Sequence, residues 1–259
     1  MLINRHMKTP AVISIFFAAA IAVAGCSHTQ VKPPGEEEMY KEANRSLEGP
    51  WYDIDYQRAI DDFQKVIDTF PYSNYALLAE LKIADAYFKK EDYLTAVDHY
   101  KEFKKKHPKN EKVPYAVYRT GLSYHELSLS YDRDQVSTEN AVVFFSELIS
   151  TFPECEYAAD SEKRRRECIE TLAHNIMYIG MQYFRRGSYQ PAAARFEELL
   201  EKYPDSSFEE KALYHAAESH FRSNSLDRAA DMFRRLAEKF PRGRRAGEAR
   251  GRLEELKGR

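Results

Sequence analysis

Eight histidines, three cysteines and 41 carboxylates are the side chains of this 259-residue chain with the means to do chemistry. Their spacing decides what they can do together. His215 and His220 stand five residues apart, which on a helix turns them about 140° away from each other and spoils them as a metal pair. The sequence holds no His-Glu-x-x-His, no glycine-rich phosphate loop and no Cys-x-x-Cys. The carboxylate pairs Asp61-Asp62 and Glu209-Glu210 alternate with lysines and arginines, the pattern of solvated helix faces. His99 and His125 read as surface residues, and His174 as packed against apolar neighbours. The expectation is a protein with no catalytic residues, no metal and no cofactor, one that acts by binding and is not an enzyme.

One cysteine is placed differently. Arg5 and Lys8 precede an apolar run from Ala11 to Ala24, too short to cross a bilayer as a stable helix but suited to the core of an export signal. The run ends in Val23-Ala24-Gly25-Cys26, which resembles the lipobox that bacteria cleave ahead of a cysteine to be acylated. Residues 1–25 are therefore predicted to be a lipoprotein signal peptide, with Cys26 as the lipidation site, whether Met1 or Met7 is the start. Two or more acyl chains there would hold firmly, because each buried methylene contributes about 0.8 kcal/mol. Ser27 stands where an Asp often marks inner-membrane retention, so the segment resembles the outer-membrane class. Residues 26–37 are polar, contain Pro33-Pro34-Gly35 and read as a flexible tether.

Removing residues 1–25 leaves 37 basic against 41 acidic side chains, a balance of −4, too near neutral for a nucleic-acid binder. The remainder, residues 38–259, is long enough for a continuous core. Cys155 and Cys168 would face an oxidising compartment, where pairing is usual. On a single helix, however, their 13-residue separation spans about 20 Å, beyond disulfide reach. Both are expected to stay free.

What must position these residues is a repeat. An aromatic or His precedes proline at Phe70-Pro71, His107-Pro108, Phe152-Pro153, Tyr203-Pro204 and Phe240-Pro241. Twelve residues before each proline stands Ala59, Ala96, Ala141, Ala192 or Ala229, and four residues after each alanine stands Phe63, Tyr100, Phe145, Phe196 or Phe233. An alanine early in a helix lets a neighbour approach closely, and the aromatic one turn later fills the groove between them. Proline then ends the helix and turns the chain. Ser73, Asn110, Cys155, Ser206 and Gly243, two residues past each proline, read as helix N-caps. Earlier in the units, Ile83-Ala84 with Tyr87, Thr120-Gly121 with Tyr124 and Ile179-Gly180 with Tyr183 form a looser column. These columns resemble the tetratricopeptide repeat, a helix-turn-helix of about 34 residues.

The spacings between the prolines are 37, 45, 51 and 37. The first excess falls around Ser128 to Ser137 and predicts a loop. The second is 14 residues, close to four helical turns, and keeps the apolar face in phase. One long helix is therefore predicted from about Glu156 to Arg186, with Cys168, Leu172, Ile176, Ile179 and Tyr183 along its inner side. After Pro241 a capping helix is predicted, with Ala246, Ala249, Leu253 and Leu256 on one face. Arg242, Arg244, Arg245, Arg250 and Arg252 read as its solvated back or as a site for an acidic partner. Lys101, Lys104, Lys105, Lys106 and Lys109 crowd a helix C-terminus, where cations are favoured.

With the repeats placed, the chain resembles the BamD family, the lipoproteins of the β-barrel assembly machinery in Gram-negative outer membranes. The resemblance rests on the lipobox and short tether, on Tyr40 to Ile60 with Trp51 and Tyr52, and on Tyr118-Arg119-Thr120-Gly121-Leu122. Asp132-Arg133-Asp134, Arg186-Gly187-Ser188-Tyr189 leading to Arg195, and the long helix between the third and fourth repeats complete it. The loop around Tyr131 is shorter than in many enterobacterial relatives. The resemblance implies an all-α, right-handed α-solenoid of about five tetratricopeptide repeats with a C-terminal capping helix, lipid-anchored on the periplasmic side of the outer membrane. Its implied partners are a BamA-like outer-membrane barrel protein, unfolded outer-membrane β-barrel substrates and accessory lipoproteins. N-terminal repeats, about 38–153, would offer substrates a groove lined by Leu78, Leu81, Asp85, Phe88, Tyr115, Tyr118, Leu122 and His125. C-terminal repeats, about 154–259, would dock the barrel subunit through Arg195. Read without the resemblance, Arg195 is a solvated helix arginine. The alternative is another lipid-anchored repeat scaffold of the envelope, a pilotin or an envelope-division coordinator.

Overall fold

The alanine and aromatic columns turn out to be the contact lines of stacked helices. The computed structural model describes residues 34–48 and 55–258, and no strand occurs among the described residues. The helices come in pairs: α1 (Glu36–Glu48) with α2 (Tyr56–Thr69), α3 (Asn74–Lys89) with α4 (Tyr93–Lys106), and α5 (Val113–Glu126) with α6 (Val136–Thr151). Then come α7 (Ala158–Arg185) with α8 (Tyr189–Lys202), α9 (Glu209–Arg222) with α10 (Leu226–Lys239), and the single helix α11 (Ala246–Lys257). Each packs on the helix before and the helix after, with lighter contacts of α1 with α3 and α5 with α7. The architecture is an α-solenoid of five helix pairs closed by a cap. Among the described residues the first helix starts at Glu36, so the last two residues of the expected tether, Glu36 and Glu37, are helical. The signal segment, Cys26, Trp51 and Tyr52 lie outside the described residues.

All five column alanines and all five column aromatics are fully buried. Truncating such an aromatic costs about 3–5 kcal/mol, so these five rings carry much of the fold. The facing small residues are needed for the same reason. A Cβ on Gly121 would come within 2.7 Å of the Phe145 ring, and one on Gly180 within 2.5 Å of Phe196. α7 is 28 residues long against 14 for α5 and α9, as the proline spacing predicts. Its buried side runs through Cys168, Leu172, Ile176 and Gly180, while Ile179 and Tyr183 are only half-buried. Met177 instead takes the inner position, because the packing stripe drifts around so long a helix.

The column after the prolines works differently from the expectation. Only Ser73 is a helix N-cap, its hydroxyl accepting from the Ala76 amide. At the other four positions the helix starts later. The backbone amide of Ser73, Asn110, Cys155, Ser206 and Gly243 donates to the carbonyl three residues before, and its carbonyl accepts from the amide three residues on. Small side chains suit a crowded tight turn, and a Cβ on Gly243 would meet Glu210 at 2.5 Å. Cys155 therefore precedes α7 and does not lie on it. Both cysteines are free thiols, and burial pushes the Cys168 thiol up to about 11.

Candidate functional site

Successive odd-numbered helices lay their side chains against one another on one face of the solenoid, and polar contacts there repeat like the core. On α3, Asp85 is buried and accepts from the Tyr100 hydroxyl at 2.5 Å and the Tyr115 hydroxyl at 2.6 Å. Arg119 of α5 donates to the Tyr100 hydroxyl oxygen at 3.0 Å and lies 3.6 Å from Asp85. Its guanidinium sits over the Phe88 ring, 3.8 Å from the centroid. Burial, then the Asp85 charge, pushes both tyrosine hydroxyls far above their ordinary range, so they stay protonated donors. Burial works against the charge of Arg119, but Tyr100, Tyr115 and Asp85 outweigh it and hold the guanidinium ionised.

The same arrangement recurs at the other end. Glu218 of α9 is 2% exposed and receives Arg252 of α11 at 2.8 Å, with Arg222 at 3.4 Å. Arg252 lies over Phe221 at 4.7 Å. Arg222 covers Phe184 and Tyr189 and donates to the Tyr189 hydroxyl at 3.2 Å. Arg245 covers Tyr214 at 4.9 Å. Arg245 and Arg252 are thus ties between α9 and the cap, a correction to their reading as its solvated back. Between these two clusters the corresponding residues are Met181, Phe184 and His215. His215 packs among Phe184, Phe196 and Tyr214, with its Nδ1 buried and without a partner. Burial first, then the nearby Arg245, Lys211 and Arg222 charges, lowers it to about 4.

Of the eight residues expected to line a groove, Asp85 and Leu122 are buried in packing. The structure brings Phe88, Tyr115 and Tyr118 together at a half-buried edge. Tyr118 stacks on Tyr157 at 4.8 Å, and its hydroxyl donates to Asp160 at 2.6 Å. Leu78 and Leu81 stand apart from these, beside a cavity of about 430 Å³ with Leu77 and Phe103. His125, half-buried, faces Glu126 at 3.8 Å and Glu167 at 4.0 Å. Sequence reasoning gave no role to Arg119, Tyr157 or Asp160. A usable signal was present, because Arg119 follows Asp85, and Arg252 follows Glu218, by 34 residues, each acid having a Phe three residues on.

Arg195 of α8 is exposed and points outward as expected. Its Nη1 donates to Glu198 at 2.6 Å, and Glu198 also receives Lys202 at 2.7 Å. Among the described residues, no group of three or more His, Cys, Asp or Glu is placed to hold a metal ion. Nor is any described helix long and apolar enough to cross a membrane.

The outer membrane lipoprotein family YfiO matches residues 34–225, and a tetratricopeptide repeat matches residues 211–243. The chain belongs to this outer membrane lipoprotein family. Among relatives, the outer membrane protein assembly factor BamD of Neisseria meningitidis serogroup B is 30% identical over 190 residues, 68% of each chain. That of Caulobacter vibrioides is 28% identical over 218 residues, 82% of this chain and 70% of its own length. Among solved structures, the TPR2AB domain of yeast Sti1 aligns over 85% of this chain and 84% of its own. Its identity is 15% and its TM-score 0.41, too distant to bear on function.

Proposed function

We propose that this lipoprotein is the BamD-type scaffold of an outer-membrane β-barrel assembly machine. The observation that carries the reading is the match to proteins named as outer membrane protein assembly factors across 68% to 82% of the chain. Acylation at Cys26 would tether the solenoid to the periplasmic face of the outer membrane, since two chains suffice for stable anchoring. The half-buried edge of Phe88, Tyr115 and Tyr118 would receive segments of unfolded β-barrel substrates. It joins aromatic rings to the half-buried Arg119 charge, a combination suited to an extended peptide with aromatic anchors. Arg195 would dock the BamA-like barrel subunit, because a guanidinium binds a carboxylate through two parallel hydrogen bonds. It would have to exchange Glu198 for the partner's acid.

Affinity purification from detergent-solubilised envelopes tests the reading. The wild-type chain should bring down a barrel protein bearing periplasmic domains. Arg195→Glu should lose most of it with its melting temperature nearly unchanged, since an exposed pair contributes only about 0–1 kcal/mol. If no barrel protein accompanies the wild-type chain, the assembly role fails. If Arg195→Glu recovers the barrel at wild-type yield, only the docking residue is wrong.

A further inference from the structure

Two departures from the repeat meet at one place on the face built by the even-numbered helices. The first is charge. The last turns of α2 and α6 carry no basic residue, and those of α8 and α10 one each, Lys202 and Lys239. The last turn of α4 carries three, Lys104, Lys105 and Lys106. Carbonyl dipoles at a helix end favour cations, but four sister helices end with one or none, so the dipole does not account for three. The second departure is Phe144. At its register the other units place Asp62, His99, Arg195 and Met232, and only α6 puts a phenyl ring there.

Between α4 and α6 these departures frame a groove of about 810 Å³, within the roughly 300–1,000 Å³ of ligand pockets and room enough for a large side chain with its neighbours. Phe144, stacked on Tyr124 at 5.6 Å, forms its floor with Pro108. Lys104 is paired with Glu147 and Lys106 with Glu102. Lys101 and Lys105, also on the rim, make no salt bridge among the described residues, and Lys105 acts on Glu102 only through its charge at longer range.

We propose that this groove docks an acidic segment of a partner protein carrying one large apolar side chain. Its carboxylates meet Lys101 and Lys105, and its apolar group lies on Phe144. Charge complementarity selects an anion, and shape selects among anions. A bilayer surface is flat and would touch the lysines without reaching the floor, whereas a peptide side chain enters. The fit resembles other interfaces in which rim charges steer and an aromatic floor anchors.

The test uses the mature soluble chain and a short fluorescein-labelled peptide of Asp and Glu around a central Phe, read by fluorescence anisotropy. Saturable binding is expected, weakened about tenfold by the double substitution Lys101→Glu and Lys105→Glu. Replacing the peptide's Phe by Gly should weaken it similarly. Both lysines are exposed, so the variant keeps its fold, which circular dichroism verifies. Phe144→Ser adds a test of the floor on protein confirmed to be folded. No binding to the wild-type chain, or binding indifferent to the two lysines or to the peptide's Phe, overturns the proposal. So does lysine-dependent capture by phosphatidylglycerol vesicles without peptide binding, which would make the patch a membrane contact.

Discussion

The clusters around Asp85 and Glu218 are built to one plan but enclosed to different degrees. Each places a buried carboxylate one turn before a Phe and sets on both an arginine from the next odd-numbered helix. The Arg119 side chain is 18% exposed, whereas those of Arg252 and Arg222 are 34% and 45% exposed. The first cluster is the more enclosed network, with two tyrosine hydroxyls in it. The second has one wet side. The same contacts should therefore differ in energetic weight, because a charge that reaches water survives the loss of its partner and a buried one does not.

Asp85→Ala is the severest test. It leaves Arg119 and two tyrosine hydroxyls without their acceptor and should cost about 3–5 kcal/mol, read from the urea midpoint. Adding Arg119→Met should recover much of the loss, since removing both partners spares an orphaned charge.

The junction between the clusters supplies the next effect. His215 is held neutral, with its folded pKa of about 4 below the ordinary 6.5. The unfolded chain therefore takes up the proton first. Stability is intact above about pH 6.5 and falls as pH drops toward 4, by on the order of 3 kcal/mol. His215→Leu should keep stability at neutral pH and flatten that part of the profile. Parallel pH profiles for the two proteins would show that His215 carries none of it.

Glu218→Ala should cost the least of the three, about 1–2 kcal/mol, because Arg252 and Arg222 can turn to solvent. Equal losses from Asp85→Ala and Glu218→Ala would break the comparison.

The core was legible in the sequence and the polar clusters were not, for a physical reason. Ala59 and Phe63, or Ala192 and Phe196, announce themselves because close helix approach tolerates few residue types, and the requirement recurs in every unit. Arg119 is an ordinary residue until its 34-residue offset from Asp85 is noticed, and then only the fold says that the two face each other. The N-cap reading of Asn110 and Cys155 failed because a small residue suits a tight turn as well as it suits a cap. The groove residues Asp85 and Leu122 were misjudged because periodicity gives the face of a helix but not how deeply its neighbour covers it. Arg195 came out at the surface because its register is fixed by the buried alanine and aromatic on either side.

The pattern of helix contacts also bears on how the chain reaches its fold. Partners close in sequence give low contact order, and such helical proteins fold in microseconds to milliseconds. The first units have most of their own contacts before later ones are made. The exception is the middle of α7, where His174 lies between Tyr131 of the third unit's loop and Phe208 ahead of α9, with stacking distances of 3.5 and 4.8 Å. Asn175 adds a side-chain bond to the Tyr131 carbonyl at 2.6 Å. That sandwich closes only when the third unit, the long helix and the start of the fifth unit are all in place. The otherwise local folding of the solenoid therefore acquires one cooperative step at its centre, and loosening His174 should let the two ends unfold independently.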